Sequence, residues 1–299
     1  MPRTVVALFG PTGVGKTAVA VALARSLRAA GEDPIAISAD ALQLYRGLEV
    51  LTGAATPGER AELEHRLLGE LPVTATASAG AFAARAHEEI DAALAAGRRA
   101  IVVGGTGLYL RAALADLDLR PPVPGAIRER RTRELAERGA AALHAELHAR
   151  DAAAAAAVPP TDGRRVVRAL ELLDAGHAPP GGDQLWTTDT RHPTLLAGLT
   201  MEREALYART DARVEAMLAA GAVAEVRAAA AAGASATARQ ALGFDALLRG
   251  DIVAMRRDTR RYAKRQLTWM RKLPGARLID MTHRSPEEAA AEVHGMISA

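Results

Sequence analysis

The sequence contains no cysteine, few aromatic residues and no long uninterrupted apolar run. The absence of cysteine excludes disulfides, thiolate metal sites and a cysteine nucleophile. Aromatic residues make up 3% of the chain and hydrophobic residues 49%, so alanine, leucine and valine must form most of the core. No uncharged apolar run approaches the roughly 20 residues that span a bilayer, and no signal segment follows Met1. We therefore expect a soluble, cytoplasmic protein.

A glycine-rich stretch lies between an apolar run of strand length, residues 4–9, and a helical pattern that begins at Ala18. It reads Gly10-Pro11-Thr12-Gly13-Val14-Gly15-Lys16-Thr17, a complete GxxxxGK[ST] phosphate loop. Backbone N–H groups of such a loop surround an anion, and the next helix presents its positive end to it. We predict a ligand with at least two phosphates, with Mg²⁺ on the Thr17 hydroxyl. The predicted diphosphate-binding residues are Gly10, Thr12, Gly13, Val14, Gly15, Lys16 and Thr17.

Short apolar strands alternate with helices through residues 1–118. Strands are predicted at 4–9, 34–38 and 99–103, and helices at 18–30, 79–96 and, more briefly, near 59–68. This alternation predicts an α/β fold, a P-loop NTPase-like parallel sheet core flanked by helices. Residues 119–193 contain no convincing strand and fit helices near 124–139, 140–150 and 161–175, so we predict an all-helical insertion domain there. The core resumes over 194–299, with strands at 194–199 and 277–279 and C-terminal helices.

Polar residues follow two of the predicted strands, at the edge where parallel sheets bind ligands. Asp40 follows the second strand and could be a general base toward a hydroxyl or amine, or else a helix cap or a magnesium ligand. Gly104-Gly105-Thr106-Gly107 follows the next strand, where many phosphate-loop NTPases carry a metal-binding aspartate. The glycines argue against a motor ATPase or a switch GTPase. The Thr106 hydroxyl can donate to a phosphate oxygen, and the alternative is a tight structural turn.

Positive charge is concentrated although the formal net charge is only +3. A predicted helix at 251–273 has a basic face, opposite Ile252, Ala263, Met270 and Leu273. Because that helix offers only two acids, we favour binding to a phosphate backbone or a diphosphate over simple solvation. The basic residues are Arg256, Arg257, Arg260, Arg261, Lys264, Arg265, Arg271 and Lys272, and the insertion adds Arg128, Arg130, Arg131, Arg133, Arg164, Arg165 and Arg168. Two such regions indicate a long polyanion as partner.

Taken together, these stretches resemble the tRNA dimethylallyltransferase (tRNA isopentenyltransferase) family over nearly the whole chain. The resemblance is carried by the phosphate loop and by six further segments. They are Ser38-Ala39-Asp40-Ala41-Leu42-Gln43-Leu44-Tyr45-Arg46-Gly47, Val102-Val103-Gly104-Gly105-Thr106-Gly107-Leu108-Tyr109, residues 162–172, Arg209-Thr210-Asp211-Ala212-Arg213-Val214-Glu215, Arg239-Gln240-Ala241-Leu242-Gly243-Phe244 and Arg265-Gln266-Leu267-Thr268-Trp269-Met270-Arg271.

The resemblance implies transfer of a dimethylallyl group from dimethylallyl diphosphate to the exocyclic N6 amine of the adenosine adjacent to the tRNA anticodon, with release of diphosphate. It implies Asp40 as general base, and Lys16, Thr17 with Mg²⁺, Thr106 and Arg239 around the leaving diphosphate. The target base is expected to flip out of its stack. A monomer that grips the anticodon stem-loop between core and insertion is expected, with no membrane contact. The candidate tRNA-binding residues are Gln43, Arg164, Arg165, Arg168, Lys264, Arg265 and Gln266.

The chain departs from the family pattern at several positions. The segment Leu51-Thr52-Gly53-Ala54-Ala55-Thr56-Pro57 lacks the usual lysine, and Phe244 stands where a tyrosine is usual. The leading alternative function is a phosphate-loop kinase for a nucleoside or another small molecule, which uses ATP. Prenyl transfer to free adenine nucleotides and a non-catalytic RNA-binding protein are further alternatives. The two basic regions argue against transfer to free nucleotides, and the intact phosphate loop argues against a non-catalytic protein.

Overall fold

The computed structural model describes residues 3–180 and 184–298. It consists of two compact units, which we call the core unit (Met1–Asp116 and Thr187–Ala299) and the helical unit (Leu117–Trp186). The predicted insertion, 119–193, extends further at its C-terminal end. Residues that follow Trp186 join the core unit because they bond to it: Arg191 and His192 both contact Asp91, at 2.9 and 2.6 Å.

Eight strands are present among the described residues. They are β1 (Val5–Phe9), β2 (Pro34–Ala39), β3 (Tyr45–Arg46), β4 (His65–Arg66), β5 (Leu71–Pro72), β6 (Arg99–Gly104), β7 (Thr194–Thr200) and β8 (Arg277–Asp280). Six of them form a parallel sheet in the order β4-β2-β6-β1-β7-β8, and β3 pairs with β5. The strands β1 and β2 are buried along their whole length. This explains their continuous apolar sequences, since a parallel sheet is covered on both faces.

The helices flank the sheet in the core unit and make up the helical unit. They are α1 (Lys16–Ala29), α2 (Glu49–Thr52), α3 (Pro57–Glu62), α4 (Ala79–Ala95), α5 (Gly107–Leu114), α6 (Gly125–Arg150), α7 (Ala152–Ala156), α8 (Gly163–Asp174), α9 (Arg203–Ala219), α10 (Ala222–Ala231), α11 (Phe244–Leu248), α12 (Ile252–Met270) and α13 (Pro286–Ser298). The helix α1 packs against α13, and α12 packs against α5, α9 and α11. No helix of the described residues combines the length and apolar character that crossing a bilayer requires.

The helical unit is built from α6, α7 and α8 around an apolar cluster that includes Leu143, Leu147, Val166 and Leu170. The helix α6 is interrupted at Gly139, whose φ of 77° and ψ of 165° are not helical. This break lies where the sequence predicts one helix to end and another to begin. The Asp162 side chain caps the start of α8 through the backbone N–H of residue 165, at 3.1 Å.

The predicted helix near 59–68 is wrong in its second half. Thr56 and Glu59 form a capping box that starts α3, with Pro57 in the first turn. The helix ends at Glu62 because Leu63 is extended and fully buried, and the following residues join the sheet edge as β4. Thr56 therefore supplies a helix cap in the segment that lacks the family's lysine.

Candidate active site

The loops that follow β1, β2 and β6 begin at one level of the sheet. Phe9 of β1 and Ala39 of β2 both lie opposite Gly104 of β6. The residues that come next, Gly10 and Asp40, therefore start from the same edge. A Cβ at Gly104 would lie 2.9 Å from the Cβ and carbonyl oxygen of Ala39, so glycine allows this close strand approach. The predicted common edge is confirmed.

The phosphate loop has the conformation that its glycines allow. Gly13 and Gly15 have φ angles of 83° and 102°, in the region that favours glycine. The helix α1 begins at Lys16, so the backbone N–H groups of its first turn lack helical partners and face an incoming anion. Val14 is fully buried, and its side chain anchors the loop in the core.

Part of the predicted diphosphate-binding set is already bonded within the protein. The Thr12 N–H donates to Oε1 of Gln266 at 2.8 Å, and the Val14 N–H donates to the Pro11 carbonyl at 3.3 Å. These two N–H groups therefore have partners within the protein, and the roles of Thr12 and Val14 in diphosphate binding stay predictions. Gly10 serves close packing, because a Cβ there would lie 2.8 Å from the Leu199 carbonyl oxygen.

Lys16 lies folded onto the loop. Its Nζ donates to the carbonyl oxygens of Gly10 and Pro11, at 2.9 and 3.0 Å. Burial lowers the pKa of Lys16 to about 8, the positive charge of Arg213 lowers it too, and the carboxylate of Asp40 acts in the opposite direction. The loop therefore holds an ammonium group whose charge is not fully compensated by the protein.

Asp40 lies directly after β2 and is partly exposed. Its Oδ1 accepts a hydrogen bond from the Leu42 N–H at 3.0 Å. Burial raises the pKa of Asp40, and the Leu42 N–H, Lys16 and Arg213 counteract that rise. A carboxylate with a raised pKa is a better proton acceptor than an ordinary aspartate, which is the property required of a general base.

Two arginines of α9 belong to this site, and the sequence reasoning gave neither of them a role. Arg213 acts on the charges of both Lys16 and Asp40, and its buried Nε has no hydrogen-bond partner among the described residues. An Nη atom of Arg209 is 3.3 Å from the point where a Gly15 Cβ would lie. Both arginines occur in the segment 209–215 that carries part of the family resemblance, and that segment was the available signal.

Thr106 follows β6 and precedes α5. Its hydroxyl lies 2.8 Å from the hydroxyl of Tyr262 on α12. Burial, followed by the negative charge of Asp40, raises the pKa of Tyr262 to about 12, so its hydroxyl keeps its proton. The Thr106 hydroxyl thus belongs to a partly buried hydroxyl pair with Tyr262, whose pKa responds to the charge of Asp40.

Two glutamines predicted to bind tRNA have internal roles. Gln43 accepts from the Ser38 hydroxyl at 2.8 Å and donates to the Gly53 carbonyl at 3.3 Å. Gln266 is 2% exposed and donates through Nε2 to the Gly105 carbonyl at 2.6 Å, in addition to accepting from Thr12. Their amides are satisfied by partners within the protein, and contact of either residue with tRNA stays a prediction.

Arg239 was predicted to stabilise the diphosphate, and the structure places it elsewhere. Its guanidinium donates to Asp245 at 2.7 Å and lies 5.2 Å from the ring centroid of Phe244. The arginine whose charge acts on both Lys16 and Asp40 is Arg213, and a catalytic role of Arg239 stays a prediction. Phe244 is 1% exposed, and its ring fills a core position.

The basic face of α12 is real, but part of it is neutralised. Arg256 pairs with Glu215 of α9, and Arg260 pairs with Asp211 of the same helix at 2.9 Å. Arg261, Lys264 and Arg265 are exposed, and these three residues are called the α12 basic patch below. Ile252, predicted to lie on the face opposite the basic residues, is 38% exposed on an open groove that arginines also line.

The three arginines of α8 that were predicted to bind tRNA differ in their surroundings. Arg164 and Arg165 are exposed, with Arg165 lying 3.7 Å from the Asp162 carboxylate. Arg168 is bonded to the carbonyl oxygens of Arg120 and Pro121, at 3.1 and 2.7 Å, and holds the start of the helical unit in place. Arg168 therefore has a structural role in the helical unit, and its contact with tRNA stays a prediction.

Comparison with known proteins agrees with these features. The sequence profile of the IPP transferase family matches residues 43–273. The tRNA dimethylallyltransferase of Nitrobacter hamburgensis is 41% identical over 98% of this chain and 94% of that protein. That of Kineococcus radiotolerans is 44% identical over 90% of this chain and 88% of that protein. The crystal structure of the full-length tRNA isopentenylpyrophosphate transferase of Bacillus halodurans has a TM-score of 0.71, at 32% identity, over 99% of this chain and 96% of that one.

The site and the fold point the same way as these comparisons. A phosphate loop, a strand-end aspartate and a glycine-threonine turn meet at one sheet edge. The fold as a whole is similar to that of the Bacillus halodurans protein. The family profile covers most of the chain, from β3 through α12. This protein belongs to the IPP transferase family.

Proposed function

We propose that this protein transfers a dimethylallyl group from dimethylallyl diphosphate to the exocyclic N6 amine of the adenosine adjacent to the anticodon of a tRNA. The relatives named tRNA dimethylallyltransferase support the reaction. The observation that carries the proposal is the position of Asp40, a carboxylate of raised pKa at the same sheet edge as the phosphate loop. Family membership does not favour the kinase alternative.

In the proposed reaction the amine nitrogen of the base forms a bond to C1 of the dimethylallyl group. The bond between C1 and the diphosphate oxygen breaks, and its electron pair leaves with the diphosphate. The nitrogen loses one proton, which Asp40 accepts through the carboxylate oxygen that the Leu42 N–H does not occupy. For the base to reach this edge, it must leave its stack in the anticodon loop.

The leaving diphosphate gains negative charge as the bond breaks, and the surrounding cations stabilise that charge. Lys16 exchanges its two carbonyl partners for phosphate oxygens, and the first-turn N–H groups of α1 donate to them. Arg209 and Arg213 approach from α9, where Arg213 has an unpartnered buried Nε. Thr106 supplies a hydroxyl oriented by Tyr262.

The residues present fit Mg²⁺ held mainly by the substrate. Mg²⁺ prefers oxygen ligands and is usually bound by one or two protein groups together with phosphates and water. Thr17 offers a hydroxyl in the first turn of α1, and among the described residues no cluster of three His, Cys, Asp or Glu side chains could hold a metal alone. When bound, Mg²⁺ would neutralise charge on the diphosphate.

The α12 basic patch is the surface that we propose for the tRNA backbone. Its three cations are exposed, and the Arg265 guanidinium lies 5.6 Å from the ring centroid of Tyr262, whose hydroxyl pairs with Thr106. Arg164 and Arg165 provide a second exposed basic point on the helical unit. Because each such cation–phosphate contact releases counterions, tRNA binding through these contacts weakens as the salt concentration rises.

The test uses purified protein, Mg²⁺, labelled dimethylallyl diphosphate and unmodified tRNA, with Asp40→Asn as the variant and Asp245→Asn as a charge-matched control. We expect label in tRNA, a rate reduced about 10²- to 10⁴-fold in Asp40→Asn, and an unchanged rate in the control. A wild-type protein that binds ATP tightly but never labels tRNA would refute the proposal. A parallel assay with free adenosine monophosphate as the acceptor distinguishes transfer to tRNA from transfer to mononucleotides.

A further inference from the structure

One side chain joins the two loops on which the proposed reaction depends. Gln266 accepts from the Thr12 N–H of the phosphate loop at 2.8 Å and donates to the Gly105 carbonyl at 2.6 Å. The side chain is 2% exposed, so water does not replace either bond. Both bonds use backbone groups, and they therefore fix the positions of the loops and not of side chains.

The space around this amide is tightly shared with the reactive groups. A Cβ at Gly105 would lie 2.4 Å from Nε2 of Gln266, 3.4 Å from the Gly10 carbonyl oxygen and 3.5 Å from Nζ of Lys16. Glycine at position 105 is thus the residue type that leaves room for the Gln266 amide. Nε2 of Gln266 and Nζ of Lys16 thus both lie within 3.5 Å of one point, the position of that Cβ.

The helix α12 makes two more contacts with the turn after β6. Tyr262, one helical turn before Gln266, pairs with the Thr106 hydroxyl. Trp269 lies 3.2 Å from the point where a Gly107 Cβ would be. Three side chains on successive turns of α12 therefore approach Thr106, Gly105 and Gly107, and of these three Gln266 also bonds to the phosphate loop.

We propose that Gln266 is a positioning residue that holds the phosphate loop and the Gly105 turn in the register needed for transfer. The kinetic test of this inference rests on the proposed function, because it measures the proposed transfer reaction. Gln266 touches neither substrate; it acts through the loop that holds the diphosphate and the turn that carries Thr106. Because a displacement of about 1 Å can cost about 10²-fold in rate, a loose loop would reduce turnover more than tRNA binding.

Only a side chain with both a donor and an acceptor can make the two bonds. An ionised glutamate would accept from Thr12 but could not donate to the Gly105 carbonyl, whereas a protonated glutamate could do both. A leucine could do neither. Gln266→Glu should therefore regain function at low pH relative to wild type, and Gln266→Leu should not. A residue needed only for packing would not produce this difference.

The experiment compares wild type, Gln266→Leu, Gln266→Glu and the control Gln240→Glu, which makes the same change at an exposed position. Transfer kinetics are measured from pH 6 to pH 8.5, and binding of inorganic diphosphate is measured by calorimetry. We expect Gln266→Leu to lower kcat about 10²-fold with little change in KM for tRNA. The ratio of Gln266→Glu to wild-type activity should rise as pH falls, while that of Gln240→Glu stays constant.

Several outcomes would overturn the inference. A Gln266→Leu protein with wild-type kcat would do so, and so would a Gln266→Glu ratio that does not change with pH. If kcat and tRNA binding decline together with the melting temperature, the residue is structural and the inference fails. If wild-type protein transfers nothing, the proposed function fails, and diphosphate binding then decides: weakened binding in Gln266→Leu supports the positioning role, and unchanged binding refutes it.

Discussion

The two units of this protein each contain a cluster of buried charges, and the two clusters differ in balance. In the helical unit, Arg131 is 5% exposed and donates to Asp174 at 2.6 and 2.9 Å, with Glu134 and Glu146 also in contact. Hydrogen bonds from Arg131 hold the pKa of Asp174 far below its usual range. Every charge there has an opposite partner.

The cluster at the sheet edge of the core unit is not balanced in this way. Lys16 and Arg213 hydrogen-bond to backbone carbonyl oxygens, while Asp40 acts on both through its charge and Glu59 acts on Arg213. Burial moves the pKa values of Lys16 and Asp40 toward neutrality. The cluster of the helical unit is structural and favours the charged states of its members. The cluster at the sheet edge requires the charge of a ligand to become balanced. Perturbed pKa values of the second kind are typical of functional sites.

The largest effect should come from breaking the balanced cluster. Replacing Arg131 by leucine would leave Asp174 with fewer donors in a buried position, which typically costs about 3–5 kcal/mol. Hydrogen–deuterium exchange of α6 and α8 should then show faster opening of the helical unit. Arg138→Leu, which removes one exposed partner of Glu146, is the control and should cost at most about 1 kcal/mol. Equal protection in both variants would contradict the assigned role of Arg131.

Removing a charge from the unbalanced cluster should have the opposite effect on stability. Lys16→Met takes away a buried ammonium that is repelled by Arg213, so the melting temperature should stay equal or rise. Affinity for inorganic diphosphate should fall by about 1.5–3 kcal/mol, the usual contribution of a charged hydrogen bond. Thermal melts and calorimetry on the same protein check both parts. A large loss of stability would mean that Lys16 is structural.

The pH dependence of diphosphate binding is a smaller effect than the loss of Lys16, and it compares the wild type directly with Lys16→Arg. The pKa of Lys16 is lowered to about 8, so half of the free protein has lost the Lys16 charge near that pH. Diphosphate affinity of the wild type should therefore fall by up to tenfold per pH unit above about pH 8. Lys16→Arg stays charged and should lack this decline. Calorimetric titrations from pH 7 to 9.5 test it, and parallel curves for both proteins would contradict the lowered pKa.

Sequence patterns predicted the sheet and the loop because both depend on local order. Apolar runs predicted five strands of the main sheet. The phosphate loop identified the sheet edge at which Asp40 and Thr106 lie. The two-residue strand β4 was missed, because pairing with β2 and not a pattern of its own makes it a strand.

Polar residues were harder to assign than apolar ones. The family resemblance suggested Gln43 and Gln266 as tRNA contacts, and the structure shows that both amides are bonded inside the core unit. The choice between Arg239 and Arg213 could not be made from motifs that each contain an arginine. It required the knowledge that α9 passes over the phosphate loop, where the methyl group of Thr210 lies 3.1 Å from the point where a Gly13 Cβ would be.

The sequence by itself determined the strand, glycine loop and helix between Val5 and Ala29, because glycine conformation and apolar periodicity act over a few residues. It also determined which helix is basic. Tertiary structure alone decided that Asp211 and Glu215 neutralise part of that helix and that Lys16 is buried beside Arg213. It also joined Gln266 to Thr12, 254 positions away. Charge balance and hydrogen-bond pairing depend on what the folded chain brings within a few ångströms, and that information lies in no single segment.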